Sequence, residues 1–91
     1  MASAKSKTGH VEQYNSAVIF YNKGDFSKAI AGFRAACSAA QKNEKYMMAL
    51  ANAYNNRGVF RYGHKKYDEA ASDFKRALEI EKKDGRYMSN L

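Results

Sequence analysis

The stretch 49–83, ALANAYNNRGVFRYGHKKYDEAASDFKRALEIEKK, reads as two helices folded back on each other through a short break near Gly63-His64-Lys65. In its second half Tyr67, Ala70, Ala71, Phe74, Ala77 and Leu78 recur at i, i+3, i+4, i+7, i+10 and i+11. That spacing lines them along one side of a 3.6-residue helix, and such a side has to be covered. Gly58 stands in the middle of the first half, where glycine costs about 1 kcal/mol relative to alanine. Close approach of a neighbouring helix is the expected reason for it.

Sliding the chain by 41 residues lays this hairpin over an earlier one. Asn15 falls on Asn56, Val18 on Val59, Tyr21 on Tyr62, Ala29 on Ala70, Phe33 on Phe74 and Ala36 on Ala77. Most matched residues are small or aromatic, the types that fix how closely helices approach. The chain is therefore a repeat array. Phe26, Ala29, Ile30, Phe33, Ala36, Cys37 and Ala40 form the most regular amphipathic stripe, following a turn at Asn22-Lys23-Gly24-Asp25. Asp25 or Ser27 is the candidate N-cap of that helix, which the polar run QKNEK ends near Lys42 to Glu44. Tyr14, Ala17, Val18 and Tyr21 mark the helix before it, and Tyr46, Met47, Leu50, Ala53 and Tyr54 the one after it.

On either side of these hairpins the pattern fades. Residues 1–9, MASAKSKTG, are small, polar and basic without periodicity, and read as a disordered tail. Residues 10–85 form the domain, with one repeat over about 11–44 and a second over about 45–85. Residues 86–91 repeat the opening of the third helix and start an incomplete third repeat, a short fifth helix. The fold class is all-α, two antiparallel helix hairpins.

A chain of 91 residues with 45% hydrophobic and 27% charged residues sits near the size where a single core stabilises only modestly. No apolar run approaches a membrane span and the N-terminus lacks the apolar core of a signal peptide, which predicts an intracellular, cytoplasmic protein, with the nucleus as the alternative. Cys37 is the one cysteine, so no internal disulfide can form; its place on the apolar side of a helix predicts a buried, inert thiol. The net charge of +7 favours acidic partners.

Chemistry-bearing patterns are missing: no Gly-rich phosphate loop, no cysteine pair, and two histidines, His10 and His64, without a partner at i+3 or i+4. Both histidines read as surface residues. Asp68, Glu69 and Asp73 lie near a helix start, where carboxylates meet the helix dipole favourably. No catalysis, no metal and no cofactor are expected, which leaves binding.

Asn52, Asn55, Asn56, Val59 and Tyr62 share one helical face, and asparagine is a poor helix former that charged residues would replace more cheaply on a merely solvated face. Amides offer a donor and an acceptor to an extended peptide backbone, and tyrosines add apolar area with a polar tip. A solvated face is the plainer alternative. Lys65, Lys66, Lys75, Arg76, Lys82, Lys83 and Arg86 make the C-terminal half basic, but they alternate with Asp and Glu, so binding of RNA or another polyanion is the second alternative.

Ala17…Gly24-Asp25-Phe26…Ala29…Phe33…Ala36 and Gly58…Lys65-Lys66-Tyr67…Ala70…Phe74…Ala77 resemble the tetratricopeptide repeat. The spacing of 41 exceeds the family's usual 34, as in members with lengthened helices, and AYNNRG…RY…YDEA…DF…AL resembles the middle repeat of a small animal member. The resemblance implies a right-handed α-α superhelix acting as a non-catalytic adaptor or scaffold. It also implies that the first helix of each hairpin lines a concave groove for another protein's extended peptide or helix. Carried over by register, that groove comprises Tyr14, Asn15, Val18, Tyr21 and Asn22 from the first hairpin, and Asn52, Asn55, Asn56, Val59 and Tyr62 from the second. The partner is expected to be acidic.

Only Asn56 matches the family's chaperone-tail clamp, which disfavours that ligand. Arg57 and Arg61 stand where the family packs an apolar and an aromatic residue, so they are expected to be partly exposed or paired with Asp or Glu. Two hairpins leave Tyr67, Ala71, Phe74 and Leu78 without a next neighbour, which predicts self-association through the last helix or inclusion in a larger assembly; a fragment or shortened member is the plainer alternative.

Overall fold

The computed structural model describes residues 2–84. Four helices succeed one another: α1 Ala2–Asn22, α2 Phe26–Ala39, α3 Glu44–Gly63 and α4 Tyr67–Asp84. Each packs on the next, and the result is a slab of 47 × 33 × 17 Å. A thickness of 17 Å is that of two helices with interdigitated side chains. Two antiparallel hairpins, α1–α2 and α3–α4, are thus stacked through α2 and α3.

Two of the three turns are copies of each other. After α1, the Asp25 N–H reaches back to the Phe20 carbonyl at 2.9 Å; after α3, the Lys66 N–H reaches back to the Arg61 carbonyl at 2.8 Å. This closure requires a left-handed residue just before it. Gly24 supplies it in the first hairpin, with φ +84°; in the second it is Lys65, with φ +64°, and not the nearby Gly63. Asp25 caps α2, its Oδ1 accepting from the Lys28 N–H at 3.2 Å. Asn43 caps α3 in the same way for the Tyr46 N–H, at 3.1 Å.

Helix bounds differ from the sequence pattern in two places. α2 stops at Ala39, short of the polar run: Ala40 leaves helical geometry, at φ −134° and ψ 72°, and Asn43 is already committed to capping α3. α1 extends back to Ala2, through the stretch that reads as a basic tail. That stretch has no proline and carries alanine and lysine, both good helix formers. The expected third-repeat start at 86–91 lies outside the described residues.

The core is a seam of small residues around one large plug. Ala17, Ala29, Ala51, Ala53 and Ala77 are buried with Ile30, Leu50, Tyr54 and Phe33, the last only 2% exposed. Each hairpin carries one glycine where its helices cross. A methyl group at Gly32 would sit 2.7 Å from Ala17 Cβ, and one at Gly58 would sit 2.7 Å from Phe74 Cε1. Close approach is therefore the reason for the glycine in mid-α3.

Candidate functional site

α1 and α3 run side by side and meet through aromatic and amide groups. Tyr14 stacks on Tyr46 at 4.9 Å and tilts against Phe33 at 5.5 Å. His10, Nδ1 to hydroxyl, lies 2.9 Å from Tyr46. Further along, the Asn56 amide donates to the Tyr21 hydroxyl, and the Tyr21 ring meets Phe26 and Phe33 edge-on. Ten residues were expected to line a groove here, and they divide by burial. Tyr14, Val18, Tyr21, Asn55 and Asn56 are half-buried; Asn15, Asn22, Asn52, Val59 and Tyr62 are exposed.

Four of the five half-buried members already have work inside the protein. Val18 packs against the core, and Tyr14, Tyr21 and Asn56 tie the first helix to the third. The exposed members keep their polar and apolar surface available: Val59 is 62% and Tyr62 61% exposed, with Asn52 about two turns and more upstream on the same helix. Tyr62 meets Tyr67 of α4 edge-on at 5.2 Å. Lys45, which the sequence pattern did not single out, places its ammonium 4.9 Å over the Tyr14 ring and adds a cation to this side.

Between α3 and α4 lies a second polar constellation. Asp73, 2% exposed, accepts from Arg57 Nε at 3.0 Å and Arg57 Nη2 at 2.8 Å, a two-pronged fork, and from Arg61 Nη1 at 3.1 Å. Arg57 also donates to the Ser27 hydroxyl of α2 at 3.3 Å, and Arg61 reaches Glu69 at 3.6 Å. The hydrogen bonds to Asp73 push the Arg57 guanidinium above its ordinary range; partial burial opposes them, and the Asp73 charge adds to them.

Three sequence expectations meet these contacts differently. The arginines are paired with acids, as expected. Asp73 lies beyond the first turn of α4, which holds Asp68 and Glu69, and is a buried ion-pair acceptor instead of a helix-dipole carboxylate. The signal was present: Asp73 stands three residues after Ala70 and four before Ala77, on the buried stripe, opposite two arginines spaced i and i+4. His10 is not a surface histidine either, being half-buried against Tyr46, whereas His64 is exposed and stacked on Phe60 at 4.3 Å. Burial raises the pKa of the half-buried Cys37 thiol, which suppresses the nucleophilic thiolate.

Two models of the tetratricopeptide repeat match the chain, one over residues 13–43 and the other over residues 51–84. The chain belongs to the tetratricopeptide repeat family. Repeats of this family generally mediate protein–protein interaction as adaptors or scaffolds, and are generally not catalytic. No curated protein and no solved structure matches the chain, so the closer likeness of AYNNRG to one small animal member stays a resemblance of wording. The tetratricopeptide assignment agrees with the hairpins, whose helices approach closely at Ala17–Gly32 and at Gly58–Phe74. Among the described residues, no helix is long and apolar enough to cross a membrane.

Proposed function

We propose that this chain is a non-catalytic adaptor whose α1–α3 face holds an acidic extended peptide or helix from another protein. The observation that carries the reading is the exposure of Val59 and Tyr62, 62% and 61%, on the helix that also presents Asn52 and Asn55. Apolar and aromatic area kept in water beside amide groups fits a peptide: amides bind its backbone and a tyrosine ring covers its side chains. The net charge of +7 and the Lys45 ammonium over Tyr14 favour an acidic one. Tyr14, Tyr21 and Asn56 shape the floor of this face and the exposed residues make the contact.

Panning a random peptide library on the immobilised protein tests this. Acidic sequences are expected to enrich, and Asn52→Ala combined with Tyr62→Ala is expected to weaken the selected peptide at least about tenfold while the helical fold is kept, since both side chains are exposed and Tyr62 gives up only its edge contact with Tyr67. Peptides that bind the double variant equally well would remove the proposed face. Tight binding of single-stranded RNA with a steep salt dependence, and no peptide selection, would favour the polyanion alternative.

A further inference from the structure

We infer that copies of this chain stack head to tail, the outer face of α4 of one copy docking into the groove between α1 and α2 of the next. This goes beyond peptide binding and uses surfaces that meet the peptide face only at the Tyr62–Tyr67 contact. A groove of about 1000 Å³ opens along the first hairpin, lined by Gln13, Ser16 and Phe20 of α1 and by Lys28 and Gly32 of α2. Forty-one residues later the same positions are Tyr54, Arg57, Arg61, Glu69 and Asp73. In the second hairpin that surface is occupied by α2: Tyr54 is buried in the seam with Ile30 and Phe33, and Arg57 bonds Ser27. In the first hairpin the equivalent surface is open among the described residues.

Among the described residues the matching plug is open too. α2 presents Ile30 and Phe33, with Cys37, to the seam it shares with α3; Phe26 starts the same stripe, against Tyr21, and the register carries Phe26, Ile30, Phe33 and Cys37 onto Tyr67, Ala71, Phe74 and Leu78 of α4. Tyr67 is 54% and Leu78 48% exposed, Ala71 is exposed and Phe74 half-buried. The molecule therefore contains its own pattern for the junction: the displacement that places the second hairpin on the first also places the next copy on the second. Polar groups fit the same operation. The Arg57–Ser27 hydrogen bond becomes a Ser16 hydroxyl opposite Asp68, with donor and acceptor exchanged between the two sides. Arg34, which lies beside Tyr54 in the internal junction, becomes Lys75 beside Gln13, next to the Glu12 carboxylate of the groove. Such a contact joins two different surfaces, so it does not close at two copies.

Sedimentation velocity of the full chain over about a hundredfold range of concentration tests this, since mass action drives an open assembly upward. The weight-average mass is expected to rise past two chains without a plateau. Leu78→Lys, which spoils the plug, and Glu12→Lys with Gln13→Lys, which puts like charge opposite Lys75, are each expected to leave a monomer with unchanged helical circular dichroism. Mixed together, these two variants are expected to pair and stop at two chains, because one retains an intact groove and the other an intact plug. A constant monomer mass for the unaltered chain would overturn the inference. So would association that Leu78→Lys leaves intact, or a mixture of variants that does not pair.

Discussion

Phe33 and Phe74 occupy the same place in two hairpins 41 residues apart, yet one is 2% exposed and the other half-buried. The difference lies in the neighbour each hairpin has on its far side. α3 lies across Phe33, Ile30 and Cys37, whereas among the described residues no further helix lies across Tyr67, Ala71 and Leu78, Tyr67 meeting only the edge of Tyr62 from its own hairpin. The same contrast holds at the helix crossings. In the first hairpin Ser16, Phe20 and Gly32 are neutral; in the second the same positions are Arg57, Arg61 and Asp73, a buried ion cluster. Equivalent backbones thus tolerate either a small apolar crossing or a charged one, provided the charges are mutually satisfied.

Truncation should separate the two phenylalanines most. Phe33→Ala is expected to cost about 3–5 kcal/mol, enough to unfold a marginal domain, and Phe74→Ala about half of that, as read by urea denaturation of the chain diluted until it is monomeric and monitored through helical circular dichroism. Equal losses would mean that the face of α4 is covered in solution. Next in size is the ion cluster. Asp73→Ala should cost about 2–3 kcal/mol, less than for fully buried pairs because both arginines retain access to water. Installing the first hairpin's own residues, Arg57→Ser, Arg61→Phe and Asp73→Gly together, should recover most of that loss in the same assay. A triple variant weaker than the single one would show that the two crossings are not interchangeable.

Turn exchanges come third. Gly24→Ala should cost about 1 kcal/mol, while Lys65→Gly should gain about 0.5–1 kcal/mol by relieving a left-handed lysine, both read as shifts in melting temperature. Lys66→Asp, which copies Asp25 as a helix cap, should add about 0.5 kcal/mol. The smallest effect concerns Cys37, whose register partner is Leu78. With its thiol pKa raised by burial, Cys37 should alkylate more slowly at about pH 8 than it does in urea, and the gap should narrow as pH rises through the folded pKa and the thiolate forms. A Leu78→Cys, Cys37→Ser variant should react about as fast folded as unfolded.

Much of this was written in the periodicity. The 3.6-residue stripes, the 41-residue register, the glycine-marked turn at Gly24 and the mid-helix Gly58 pointed to four helices in two hairpins, because small and aromatic residues at fixed spacing have few other ways to be buried. The need of Arg57 and Arg61 for acidic partners was legible as well. Their partner was not assigned, since Asp73 lies near a helix start, where a carboxylate is favourable for a purely local reason.

Tertiary structure alone decided how the face of α1 and α3 is shared out. Sequence spacing groups Tyr14, Tyr21 and Asn56 with Asn52 and Tyr62, but the crossing of the two hairpins turns the first three toward the interior and leaves the last two in water. It likewise decided that Lys65, and not Gly63, takes the left-handed turn, because the reach-back bond to Arg61 fixes which residue must bend. Periodicity along a chain defines which side of each helix is apolar; only the packing angle between helices determines how much of that side meets another.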